Sequence, residues 1–258
     1  MRILLTNDDG IQSENLHRIH AALKRAGHDV FTAAPAEPQS GKSCGITVNK
    51  PLLTRKVVLP DAAGGPFEGL AIQGTPADCA LLALEGGLCD RPDLVISGVN
   101  IGPNAGLDIF FSGTVGAALQ AAMHGIPTLA VSHCARTPMT DAHAELTVKI
   151  ASRMDWSALP LHRVYSLNLP DCPAERVQGV KICPHGTDYP RSIAYEKRTA
   201  PDGRGYYWMK DPFEYFERDT EGTDKYWLHR GWATLSPLKI DLNDYETLES
   251  QAFSTLLG

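Results

Sequence analysis

The first 34 residues constrain the fold most tightly. An apolar run, Ile3-Leu4-Leu5, is followed by a helical face of Leu16, Ile19, Leu23 and Ala26, then Gly27. A second apolar run from Val30 to Ala34 is stopped by Pro35. Three aliphatics bounded by turns suit a strand buried on both faces of a sheet. The spacing predicts a helix from about Glu14 to Ala26, with Gly27 where the end of a helix favours glycine. Strand, helix, strand at this length is a βαβ unit, so the first two strands run parallel.

The alternation continues. Leu70-Ala71-Ile72 reads as a short strand, and Ile46 to Leu59 alternates loosely enough for one or two more. Thr75-Pro76-Ala77-Asp78 has the chemistry of a helix start, with Thr as cap, Pro at the first position and Asp at the third. Its helix carries Leu81, Leu82 and Leu84 and stops at Gly86-Gly87. Asp93–Ser97, Thr128–Ser132 and Val164–Leu169 read as further strands, with helices from Ser112 to about His124 and from Ala142 to Met154. The expected class is α/β: a Rossmann-like, doubly wound, mostly parallel sheet. Residues 185–235 hold every Trp except Trp156, and turn markers stand at Asp202-Gly203 and Glu221-Gly222. That stretch reads as projecting hairpins. The expected organisation is a core over 1–184, an oligomerising arm over 185–235, and a segment over 236–258 that packs back on the core, with Leu242 to Leu257 a closing helix.

Composition decides a few points. The 258 residues carry a net charge of -6, so the overall field repels polyanions. Binding to a nucleic-acid polymer is not expected, and any phosphate must be held by local devices. The six cysteines form no CxxC pair, which reads as reduced thiols and a cytoplasmic address. No apolar run approaches the ~18 residues of a membrane span.

The chemistry gathers where the expected strands end. The first strand runs into Asn7-Asp8-Asp9-Gly10. Two adjacent carboxylates at a buried strand end repel each other, and a hard divalent cation relieves that repulsion. An ordinary Asx-rich turn is the plainer alternative. The loop from Pro35 to Lys42 and the glycine- and asparagine-rich loop from Gly98 to Gly106 open at the same carboxyl edge. Asp8, Asp9, Ser40 and Asn100 are oxygen donors, which suits Mg²⁺ or Mn²⁺ rather than zinc. Ser112-Gly113-Thr114 opens a small-residue helix whose free N–H groups suit an anion, although close helix–sheet packing also wants such residues. Metal-assisted phosphate chemistry is the leading reading. His124, His133 and His185 lack the spacing of metal ligands and read as structural. The cluster Tyr206-Tyr207-Trp208 reads as a subunit contact rather than a base-stacking platform.

The motifs TNDDG, AP-x4-SG, GTPADC, PDLVISGVNIGPNAG and SGTVGAA, followed by TDKYWLHRGWATLSPL, resemble the SurE survival protein family in identity and order over residues 1 to about 240. The resemblance implies a metal-dependent phosphatase acting on nucleoside 5′- and 3′-monophosphates, with short polyphosphate a possible further substrate. It implies metal ligands at Asp8, Asp9, Ser40 and Asn100, catalysis by Asp8 and Asp9, and a homodimer or homotetramer joined through the arm. Asn104, Ser112, Gly113 and Thr114 are the expected phosphate contacts. Three positions depart from the family pattern: Gln12-Ser13-Glu14-Asn15 replaces a short Ala-Pro-Gly turn, Phe111 replaces Tyr, and Gln120 replaces an acid. A haloacid-dehalogenase arrangement needs Asp-x-Asp, which the adjacent Asp8 and Asp9 do not supply. A non-catalytic nucleotide-binding protein is the alternative from another class. Water activated by the metal is the expected nucleophile, with Asp8 the expected proton acceptor.

Overall fold

The first strand, β1 (Arg2–Thr6), has apolar side chains on both faces, and the sheet is built around it. Ile3 and Leu5 enter one core while Leu4 enters another, as the two-residue period of a strand dictates. The structure, a computed structural model, describes residues 1–60, 66–188, 194–210 and 220–249. After β1 come α1 (Glu14–Arg25), β2 (Asp29–Pro35), β3 (Thr54–Leu59), β4 (Phe67–Ile72) and α2 (Pro76–Glu85). There follow β5 (Leu94–Ile101), α3 (Gly113–Met123), β6 (Thr128–His133), α4 (Asp141–Arg153) and β7 (Arg163–Leu169). The chain continues through β8 (Val180–Ile182), β9 (Ala194–Thr199), β10 (Gly205–Lys210), α5 (Asp224–Leu228), β11 (Ala233–Lys239) and α6 (Tyr245–Glu249).

The main sheet has the order β3-β4-β2-β1-β5-β6-β7-β11-β8. The six strands from β4 to β7 are parallel, while β3 and β11 run antiparallel to their inner neighbours. Helices α1 and α4 cover one face, and α2 and α3 the other. The chain winds from β1 through β2 to β4, then returns to lay β5 on the opposite side of β1. The reversal therefore falls between β1 and β5, and ligands of such sheets bind in the crevice there. The start of α2 is held by a full capping box between Thr75 and Asp78.

Four expectations need correction or narrowing. Gly98 to Asn100 do not lie in a loop, because β5 continues to Ile101. The glycine signal marks an irregularity in the β5–β6 pairing between Ser97 and Asn100. Gly98 has φ +136°, and a Cβ there would sit 2.2 Å from the Val131 carbonyl oxygen. Of the stretch from Ile46 to Leu59, only Thr54–Leu59 is a strand. Residues 46–53 contain Pro51 and are tied elsewhere, with the Thr47 N–H and hydroxyl donating to Asp78. The arm contributes one hairpin, β9–β10, turning at Asp202-Gly203. The Glu221-Gly222 turn leads into α5 instead, and β11, which starts at Ala233, belongs to the main sheet. Residues 211–219 lie outside the described ones. Of the expected closing helix, α6 covers Tyr245–Glu249, with Leu248 exposed, and residues 250–258 lie outside the described ones.

The loop after β2 is pressed against α3. A Cβ on Gly116 would lie 1.9 Å from the Ser43 carbonyl oxygen and 2.8 Å from the Cys44 nitrogen. Both obstacles are backbone and cannot rotate away. Gly116→Ala is expected to destabilise the protein by about 1–3 kcal/mol, read as a lower midpoint in urea unfolding.

Candidate active site

The end of β1 delivers Asp8 and Asp9 to the crevice between β1 and β5. Asp8 is 3% exposed. Its Oδ1 accepts the Thr114 hydroxyl at 2.5 Å, and the N–H groups of Gly113 and Thr114 also face the carboxylate. Helix α3 thus aims its N-terminus at a carboxylate of its own chain. Gly113 permits this approach: a Cβ there would stand 2.8 Å from Asp8 Cβ and 3.0 Å from Pro76 Cγ. The helix is capped by Ser112, whose Oγ accepts the Val115 N–H at 3.0 Å.

Asp9 is held from the other side of the crevice. Its Oδ2 accepts the Ile101 N–H at 3.1 Å. Burial pushes its pKa up to about 7, and the neighbouring Asp8 charge adds to the rise. Burial also raises Asp8, against the donors that favour its ionised form. Both carboxylates are therefore short of positive charge.

Asn100 lies at the irregular end of β5, and its Nδ2 donates to the Gly102 carbonyl at 2.8 Å. The other arm of the amide, Oδ1, is the atom a cation would take. Ser40 stands exposed in the turn after β2. Its neighbour Gln39 donates its N–H to the Asp8 carbonyl at 2.7 Å, which ties that turn to the aspartate pair. Thr6 Oγ1, Asn7 Oδ1 and Ser97 Oγ, at the same ends of β1 and β5, are buried oxygens without a partner among the described residues. Oxygen donors with two undercompensated carboxylates fit a hard divalent cation. Among the described residues no three of His, Cys, Asp and Glu form a group that could hold a metal ion, so neutral oxygens must complete any such shell.

The expected phosphate contacts divide. Ser112, Gly113 and Thr114 stand at the aspartate pair. Asn104 is buried in the loop after β5, where its Nδ2 donates to Ser132 Oγ at 2.8 Å and its N–H to Asn168 Oδ1 at 2.9 Å. His124 and His185 are held locally, through the Gln120 and Gly186 carbonyls, and His133 packs on His143.

Two residues to which the sequence reading gave no role brace the site. Asn15 donates to the Val99 carbonyl at 3.0 Å and accepts the Met139 N–H at 2.8 Å, fixing the irregular part of β5. Asp224, at the start of α5, accepts the N–H groups of Gly106 at 2.8 Å and Gly186 at 2.9 Å. The available signal was Thr223-Asp224, a cap residue and an acid opening a helix.

A doubly wound α/β sheet with its polar residues collected at the switch point defines the class: a protein that binds and works at the carboxyl edge of a parallel sheet. The family model for Survival protein SurE matches residues 3–192, and the chain belongs to that family. The chain is 39% identical to a 5′-nucleotidase SurE of Desulfovibrio desulfuricans, over all of both chains. It is 35% identical to that of Lawsonia intracellularis, over 97% of each. The crystal structure of the SurE protein from Aquifex aeolicus superposes with a TM-score of 0.77 at 32% identity, covering 96% of this chain and 97% of that one.

The raised Asp9 pKa has a signed consequence for the metal-free protein. A carboxyl whose folded value lies above its unfolded one stabilises the fold at low pH and loses that contribution as pH rises. The window runs from the ordinary 3.8 to about 7. Across it, the melting temperature of chelated wild type should fall relative to that of Asp9→Asn, by calorimetry. Parallel curves for the two proteins would contradict the raised value.

Proposed function

We propose that the chain is a metal-dependent phosphatase that hydrolyses nucleoside 5′- and 3′-monophosphates to nucleoside and phosphate by attack of water. The observation that carries this is the buried Asp8-Asp9 pair at the N-terminus of α3. A non-catalytic nucleotide-binding protein would use the helix end but would gain nothing from two carboxylates that repel phosphate. The names of the relatives, 5′-nucleotidase, support the substrate class.

Asp8, Asp9, Ser40 and Asn100 would hold a divalent cation of the Mg²⁺ or Mn²⁺ kind, which supplies charge neutralisation and lowers the pKa of water. The chain's own residues do the rest. Ser112, Gly113 and Thr114 set a positive helix end against the phosphate charge that develops in the transition state. Thr114 also fixes the Asp8 carboxylate. The Thr114 hydroxyl and the first N–H groups of α3 already occupy the Asp8 carboxylate as an acceptor. Asp9 accepts only the Ile101 N–H among the described residues, which leaves its Oδ1 to take the proton of the attacking water. We therefore assign the proton to Asp9 rather than to Asp8. Asn104 positions the loop after β5 through Ser132 and Asn168.

Activity should vanish on exhaustive chelation and return with Mn²⁺, followed as phosphate released from AMP. Full activity with EDTA would refute the metal reading. Thr114→Val removes a hydrogen bond to a charged group, expected to cost about 1.5–3 kcal/mol, or roughly 10- to 150-fold in kcat/KM. Its circular dichroism should match wild type.

We also propose a homodimer or homotetramer joined through β9–β10. This hairpin forms a two-stranded sheet of its own, which is marginal in water. Both its faces expose large side chains, including Tyr195, Tyr207 and Trp208. The double substitution Tyr207→Ser, Trp208→Ser should yield a smaller species in sedimentation, whereas wild type sedimenting as a monomer at micromolar concentration would contradict the assignment. Six free thiols suit a reducing compartment, and we place the protein in the cytoplasm. No helix among the described residues is long and apolar enough to cross a membrane.

A further inference from the structure

Phe111 directly precedes Ser112, the cap of the helix that faces the aspartate pair, and its side chain is exposed. It is 58% exposed, while the next residues, Ser112 and Thr114, are 5% and 0% exposed. A single exposed apolar side chain is ordinary. What sets this one apart is its place and the rigidity of its backbone. The Cβ position of Gly113 lies 2.8 Å from Asp8 Cβ, and two peptide units carry the chain back from Gly113 to Phe111. Their Cα atoms are therefore at most roughly 7–8 Å apart. A nucleobase is one ribose away from its phosphate, a reach of the same order.

The backbone of Phe111 is fixed on both sides. Its N–H donates to the Asp108 carbonyl at 3.1 Å, and its carbonyl accepts the Ser43 N–H at 3.1 Å. The turn before it, Gly106–Phe110, is braced in turn by Asp224 on the Gly106 N–H and by Lys225 at 3.7 Å from Asp108. An apolar ring on an ordered support beside an anion site is prepared for a flat, partly apolar ligand.

We propose that Phe111 is the platform on which the nucleobase of the substrate stacks. The proposal rests on the nucleotidase reading above and adds the part of the substrate that reading leaves unbound. A phenyl ring has no donor or acceptor with which to read a base edge, while every base has a π face. Substrates are then selected by their phosphate and by the presence of an aromatic base, with little discrimination among bases. Tyr207 and Trp208 do not compete for this role, because they sit on a hairpin that is not tied to the aspartate pair.

The test compares AMP with ribose 5-phosphate, which has the same sugar and phosphate but no base. The quantity read is the ratio of kcat/KM for AMP to that for ribose 5-phosphate. Phe111→Leu should lower the ratio about tenfold, equivalent to ~1.4 kcal/mol, chiefly through KM for AMP. Phe111→Tyr keeps the aromatic face and should retain the wild-type ratio within about twofold. Phe110→Leu is the matched control. That ring is 54% exposed on the same turn, and adjacent residues of a helical turn point to different sides. Its effect should be clearly smaller. An unchanged ratio in Phe111→Leu overturns the platform, and so does an equal loss in Phe111→Tyr or Phe110→Leu. A shift of Phe111→Leu to a smaller species in sedimentation, with the ratio unchanged, would make the ring a subunit contact and also overturns it. Failure of the nucleotidase reading itself would appear in wild type alone, as no phosphate release from AMP with Mn²⁺.

Discussion

Everything at the carboxyl edge of this sheet answers to one electrostatic problem, two adjacent carboxylates at the end of a strand buried on both faces. Water cannot solvate Asp8, and each carboxylate raises the other's free energy of ionisation. The fold relieves part of this with neutral donors: the Thr114 hydroxyl, the first N–H groups of α3, and the Ile101 N–H. That relief is incomplete, since both groups remain above their ordinary values. On the proposed reading a divalent cation makes up this shortfall and lets phosphate approach in a protein of net charge -6.

Close backbone approach makes the arrangement possible. Gly113 lets α3 touch Asp8, Gly116 lets the 43–44 loop touch α3, and Gly98 lets the irregular end of β5 lie against Val131. Each of these glycines removes a side chain where another element already stands. The helix end expected to face an anion faces the Asp8 carboxylate of its own chain. The same donors position one carboxylate and, on the proposed reading, leave a positive pole for the substrate.

Much of this was legible in the chain. The βαβ start, the Thr75–Asp78 box and the aspartate pair follow from local patterns of period, capping and charge, and these patterns act over a few residues. What was not legible depends on contacts between distant segments. The glycine-rich run after Ser97 reads as a loop because turns and strand irregularities use the same residues, and only the Val131 contact distinguishes them. That Thr114, expected at the phosphate, also donates to Asp8, 106 residues earlier, is a contact no local pattern announces. Asp224 lies 118 residues from the Gly106 N–H it accepts, and nothing local announces that partnership. The C-terminal aromatic stretch reads as uniform projecting hairpins, but β11 within it completes the main sheet against β7.

The central claim, that the aspartate pair lacks a counter-charge until a divalent cation arrives, can be measured directly. Mn²⁺ titrated calorimetrically into chelated protein, in buffers of different ionisation heat, reports both stoichiometry and protons released. One cation per chain should bind with net proton release near the metal-free Asp9 value of about 7, and with release fading well above it. Asp9→Asn should reduce the release. Saturable binding without proton release at any pH, or no saturable binding, would contradict the account.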